Sequence, residues 1–164
     1  MLLREQQEDH LEYNTKDRRE QLRAAYKELG LSLQPDAFVT LTTNDYGHIH
    51  EVTRLLGRFC GMIDRQLLGH KWLDFPAKRL DGLFFIEHTK TNIHAHGLLR
   101  FPDVPDADLP FITARKWSRL TETGDTNFQS IYDAPGAAKY CTKEMANFQF
   151  DGDQVVLVSQ FRKN

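Results

Sequence analysis

Hydrophobic and polar positions change period several times along the 164 residues, and each change marks an element. Leu22, Ala25, Tyr26 and Leu29 recur at i, i+3, i+4 and i+7. That stripe predicts a helix over 16–29, capped at Asn14 or Thr15 and stopped by Gly30. The polar residues 1–14 ahead of it read as disordered or loosely helical. Residues 37–43 alternate and are β-rich, which predicts a strand, with a turn at 44–47. Ile49, Val52, Leu56, Phe59, Ile63 and Leu67 then step along one face at helical spacing, with Glu51, Arg54, Arg58 and Arg65 elsewhere around it. This predicts a helix over 48–68. Two strands follow at 81–88 and 93–101, and the short link at 89–92 favours an antiparallel hairpin. Pro102, Pro105 and Pro110 break the chain before a helix at 111–120 around Trp117. A strand at 127–132 comes next. Asp133 caps a helix that holds Pro135 in its first turn and runs to about 146. A last strand at 154–161 closes the chain. The order predicts one α+β domain over 1–164, with helices covering mainly one face of the sheet.

Residues 93–101 carry His94 and His96 inside an alternating run. Successive strand side chains point to opposite faces, so both imidazoles leave one face, roughly 6–7 Å apart at Cα. Ala95 and Gly97 point the other way, into a core. Two imidazoles on a rigid platform can share one divalent metal ion. Glu87, seven residues before His94 on the partner strand, is the candidate third ligand. A register slip of one residue would present His88 instead. A carboxylate suits Mg²⁺ or Mn²⁺ beside phosphate, whereas His88 would tilt the site toward zinc. The plainer alternative is two polar residues on a solvated sheet face. His48 and His50 share the same spacing at a helix start. There i and i+2 do not face each other, so that pair reads as structural.

Tyr140 and Lys143 are i, i+3 neighbours on the late helix. A tyrosine can be a covalent nucleophile, but a phenol with a pKa of ~10 needs help. Lys143 and a metal-bound phosphate would supply it. The plainer reading has the Tyr140 ring packing on the sheet. Cys141 lies around the helix toward the core, where thiols are usually inert.

The remaining composition narrows the class. Cys60 and Cys141 form no close motif, which suggests a reducing compartment rather than a disulfide framework. No apolar run approaches the ~18 residues that span a bilayer. The first residues turn polar at once, unlike a signal peptide. A cytoplasmic protein with no membrane partner is expected. A net charge of −2 argues against strong non-specific duplex binding. It leaves room for local basic groups: Lys78 with Arg79, Arg115 with Lys116 and Arg119, and Lys139 with Lys143. No Gly-x-x-x-x-Gly-Lys-Ser/Thr loop is present, so the sequence has no ATP-driven helicase of the usual kind.

The run Phe38-Val39-Thr40-Leu41-Thr42-Thr43-Asn44, then Glu87 with His94-Ala95-His96, then Tyr140-x-x-Lys143, resembles the HUH endonuclease superfamily. The likeness is to the single-tyrosine replication initiators (Rep) of rolling-circle elements. It spans 38–143. The resemblance implies a central five-stranded antiparallel sheet of ferredoxin or RRM type, with the His94–His96 strand at its centre. It implies that Glu87, His94 and His96 hold Mn²⁺ or Mg²⁺. It implies that Tyr140 attacks a phosphate of single-stranded DNA at a replication origin, leaving a 5′-phosphotyrosine adduct and a free 3′-hydroxyl. Lys143 would steady the phosphate. A host helicase would assist, or the chain would be the nuclease piece of a longer protein. The setting would be a bacterial, phage or plasmid one in the cytoplasm, or the host nucleus for a eukaryotic virus. Rival readings are a relaxase or single-strand transposase of the same chemistry. A tyrosine 44 residues after His96 speaks against the relaxases, and Glu87 against the small transposases. A third reading is a non-catalytic single-strand binding module using Phe84, Phe85 and Tyr132.

Overall fold

The computed structural model describes residues 2–44, 47–87, 92–146 and 150–162, with backbone alone over 2–14. Its centre is a strand with a partner on each side. β1 (Ala37–Thr42), β2 (Asp81–Glu87), β3 (His94–Arg100), β4 (Thr126–Ser130) and β5 (Val155–Leu157) form one sheet in the order β4-β1-β3-β2-β5. All four pairings are antiparallel. The fold is α+β, and the strand carrying His94 and His96 lies in the middle of the sheet, as expected.

The alternation read from β1 is kept: Ala37, Val39 and Leu41 are buried while Phe38, Thr40 and Thr42 are half-buried. On the first face, Val39, Leu41, Phe84, Ile86, Ala95 and Leu99 meet Val52, Leu56, Phe59 and Ile63 of α2 (Ile49–Leu68), with Trp117 of α3 (Leu109–Trp117). On the second face, Leu83, Phe85 and Leu98 meet Ala138 and Cys141 of α4 (Ala134–Cys141), and Tyr26 and Leu31 of α1 (Leu2–Ser32) pack against them. Helices thus cover parts of both faces, not mainly one. The cause is α1, which packs Tyr26 and Leu31 on the second face, whereas Leu22, Ala25 and Leu29 of the expected stripe stay exposed. Gly30 does not stop α1. It is buried inside the helix, where a Cβ would stand 3.1 Å from Leu98 Cδ1, so the glycine lets the helix approach the sheet.

Other boundaries also shift for local reasons. α1 begins at Leu2, so of the two readings of 1–14, disordered or loosely helical, the structure has the helical one from Leu2 on; its Leu, Glu and Gln residues are good helix formers. Pro110 lies in the first turn of α3 instead of breaking the chain, and Asp108 caps that helix by accepting from Phe111 N at 3.1 Å. α4 ends at Cys141, and 143–146 continue as a 3₁₀ turn. β5 is only Val155–Leu157, with 3₁₀ geometry from Val158 to Phe161. Cys60 and Cys141 are free and buried on opposite faces, and desolvation pushes both thiols upward. Among the described residues no helix is long and apolar enough to cross a membrane.

Candidate active site

Sheet register gathers the candidate ligands into two adjacent rows of the second face. Thr42, His94 and Glu87 lie across one row; Thr40, His96 and Phe85 lie across the next. Glu87 therefore shares the face of both histidines. The alternative residue His88 lies outside the described residues.

His96 is held on every side. Its Nδ1 is 2.9 Å from Thr40 Oγ1, and its Nε2 is 3.1 Å from Glu87 Oε2. Phe38 stacks on the ring with centroids 5.7 Å apart and planes 12° from parallel. Both His96 and Glu87 are buried. A neutral imidazole satisfies both bonds with its proton on Nε2, while the Thr40 hydroxyl donates to Nδ1. A cation at Nε2 would require the other tautomer. Thr40 can serve that one too, because its hydroxyl rotates to accept from Nδ1–H.

His94 is half-buried, and its ring centroid is 6.2 Å from that of His96, at 79°. Among the described residues no three His, Cys, Asp or Glu side chains converge closely enough to hold a metal. The structure thus brings Glu87 and His96 into direct contact and places His94 beside them on the same face. The donor set, two imidazoles and one carboxylate on adjacent strands, fits a hard or borderline divalent cation.

Tyr140 stands over this pair. Its ring meets His96 edge-on at 5.5 Å and 83°, and Phe38 edge-on at 5.8 Å and 87°. At 48% exposure the phenol is open to solvent. Local sequence accounts for the placement. Asp133 Oδ1 accepts from Gly136 N at 3.0 Å and starts α4, with Pro135 in the first turn. Ala138 and Cys141, three residues apart, turn into the core, so Tyr140 rides on the flank. Thr142 Oγ1 bonds back to Ala138 O at 2.9 Å, and Arg23 of α1 reaches the same hydroxyl at 3.4 Å.

Lys143 bridges Tyr140 and Glu87. Its Nζ lies 3.9 Å from the Tyr140 ring centroid and 3.7 Å from Glu87 Oε2. Burial pulls its pKa down. A hydrogen bond with Tyr140 and the charges of Glu87 and Glu144 outweigh that, so the net direction is upward and the ammonium is kept.

Other sequence candidates divide. Phe84 and Phe85 are buried and cannot stack on bases, while Tyr132 is 97% exposed. Arg79 is bound to Asp64 at 2.8 Å and lies over Trp72, and Lys116 donates to Gln66 at 2.8 Å. Both basic clusters therefore lose a member to the interior. His48 and His50 are exposed at the start of α2. Sequence reasoning missed Thr40 and Phe38 as partners of His96. Their alternation in 37–43 was visible, but only the β1–β3 pairing puts them on the histidine face. It also missed Asn127 and Gln129, which help line a groove of about 610 Å³ beside Tyr140.

The chain matches no family model, no curated protein and no solved structure.

Proposed function

We propose that this chain is a metal-dependent HUH-type endonuclease that nicks and rejoins single-stranded DNA at a replication origin through Tyr140. The observation that carries this reading is the solvent-open phenol of Tyr140 edge-on to His96, with the Lys143 ammonium touching both the phenol and Glu87. Glu87, His94 and His96 would hold Mn²⁺ or Mg²⁺. Bound there, the ion would polarise the scissile phosphate and offset charge on the leaving oxygen.

The chain's own groups do the rest. Phe38 and His96 fix the position of the Tyr140 ring. Lys143 stabilises the phenolate as its proton passes to water. The phenolate oxygen bonds to phosphorus and the 3′-oxygen leaves. The products are a 5′-phosphotyrosine adduct and a free 3′-hydroxyl that primes synthesis. Attack by that hydroxyl reverses the step, and the covalent bond conserves the energy that rejoining needs. A helicase from the host would unwind the duplex.

The test uses end-labelled strands, including predicted hairpins, that tile the DNA around the coding sequence, incubated with the protein and Mn²⁺. One strand should yield an SDS-resistant protein–DNA adduct. Tyr140→Phe should abolish the adduct and keep binding. Adduct formation by Tyr140→Phe would reject Tyr140 as nucleophile, and binding without adduct in the wild type would leave a single-strand binding module.

A further inference from the structure

Tyr140 has two unlike neighbourhoods. On one side are Lys143, Glu87 and His96. On the other is the groove of about 610 Å³, bounded by β1, β4 and the start of α4. Among the described residues no lysine or arginine lines it, and Asp133 does. A phosphate would find no cation there and one carboxylate, so the anion belongs on the Lys143 side. The groove suits a neutral, planar, polar group of nucleotide size.

Its walls carry the matching chemistry. β1–β4 register sets Asn127 opposite Thr40 and Gln129 opposite Phe38, on the face that carries His96. Gln129 Nε2 donates to Asn127 Oδ1 at 3.2 Å. That bond holds the two carboxamides against each other, and Asn127 Nδ2 remains a donor and Gln129 Oε1 an acceptor. A base edge presents the complementary pair. Tyr132 lies in the lining and is 97% exposed, an aromatic plane at the mouth. A large exposed ring beside paired carboxamides is the arrangement that stacks and reads an unpaired base.

We propose that this groove seats one unstacked base of single-stranded DNA, next to the phosphate that meets Tyr140. Tyr132 stacks on the base, and Asn127 with Gln129 reads its edge. The inference rests on the single-strand nicking reading and gives that site its sequence preference.

The test measures binding of 5′-fluorescein dT₁₂, dA₁₂ and dC₁₂ by anisotropy, in the Tyr140→Phe background so that no adduct forms. Tyr132→Ala should weaken binding about fivefold or more, as expected for one lost stack, with the salt dependence unchanged because no ionic contact is removed. Tyr132→Phe should restore the affinity. The double change Asn127→Ala with Gln129→Ala should alter the order of preference among the three strands. All three positions are at the surface, so the fold is not at stake. Unchanged affinity in Tyr132→Ala, or a Tyr132→Phe protein as weak as Tyr132→Ala, would overturn the stacking seat. An unchanged order of preference in the double variant would overturn the reading of the edge. Failure of the Tyr140-intact protein to bind any strand would overturn the seat and the nuclease together. Binding that responds as described, without any adduct in the Tyr140-intact protein, would overturn the nuclease alone.

Discussion

Glu87 sits directly opposite His94 in the β2–β3 ladder, yet its Oε2 lies 3.1 Å from Nε2 of His96, one row further along. The carboxylate thus spans both histidine rows. In this arrangement it serves as the acceptor for the imidazole that a cation would otherwise hold. Metal binding should exchange that hydrogen bond for coordination without moving the strands.

Saturating Mn²⁺ should therefore raise the melting temperature. A ligand at about 100 times its Kd adds ~2.7 kcal/mol of stability. For a chain of this size that is roughly 5–10 °C. Scanning calorimetry with Mn²⁺ and with EDTA checks this, and Glu87→Gln and His96→Asn should each remove most of the shift. An identical shift in all three proteins would place the metal elsewhere.

Under the proposed reading, Thr40 would act on the metal through His96. Thr40→Val keeps the shape of the side chain and removes the hydroxyl 2.9 Å from Nδ1. Losing a partner of this kind costs about 10–100-fold in metal affinity. Titration calorimetry with Mn²⁺ should show that loss, and Thr40→Ser should recover most of it. Equal affinity in Thr40→Val would mean that Phe38 stacking alone orients the ring.

Lys143 should matter to chemistry more than to folding, since its side chain is 39% exposed. Lys143→Met removes a cation beside the phenol, on the side where the proposed reading puts the phosphate. Removing one such charge-stabilising donor costs about 10²–10³-fold in rate. The slope of log binding constant against log salt should also fall by about one phosphate contact. Single-turnover adduct formation and a salt titration measure the two effects. A variant that lost binding but kept its single-turnover rate would make Lys143 a docking group only.

Period explains what the sequence disclosed. Alternation in 37–43 and 93–101 is a local property, and it placed β1 and β3 almost to the residue, while the apolar run in 81–88 placed β2 as closely. The spacing of His94, His96 and Glu87 followed from the same period and a short hairpin link. Tyr140 and Lys143 followed from helical spacing, although Lys143 ended on a 3₁₀ turn beyond α4. Partner choice between distant strands is not a local property. The β1–β3 and β1–β4 pairings, which bring Thr40, Phe38, Asn127 and Gln129 to the site, are set by which hydrophobic faces bury each other. Gly30 misled for a related reason. Glycine both ends helices and permits close packing, and only contact with Leu98 tells the two apart. Phe84 and Phe85 looked alike as stacking rings, but strand burial on both faces removed both from solvent.

Asp64 positions β2, and with it Glu87, from the opposite face. Its carboxylate, 1% exposed, accepts from Arg79 Nε at 2.8 Å and from Leu80 N at 2.7 Å, pinning α2 to the residues that lead into β2. Burial raises its pKa above the ordinary 3.8, and Arg79 and Leu80 oppose that without reversing it. A carboxyl raised on folding contributes stability that is complete below its unfolded value and is lost as pH climbs through its folded value. The wild type should accordingly gain stability from this group as pH falls from 7 toward 4. Asp64→Asn cannot titrate, and it exchanges one acceptor for a donor among donors. It should cost about 1–3 kcal/mol at pH 7. The gap to wild type should widen at lower pH, the reverse of an ordinary surface ion pair. Urea unfolding at pH 7, 5.5 and 4.5 measures it. A gap that closes as pH falls would mean that Arg79 outweighs burial and holds the Asp64 carboxyl below its usual value.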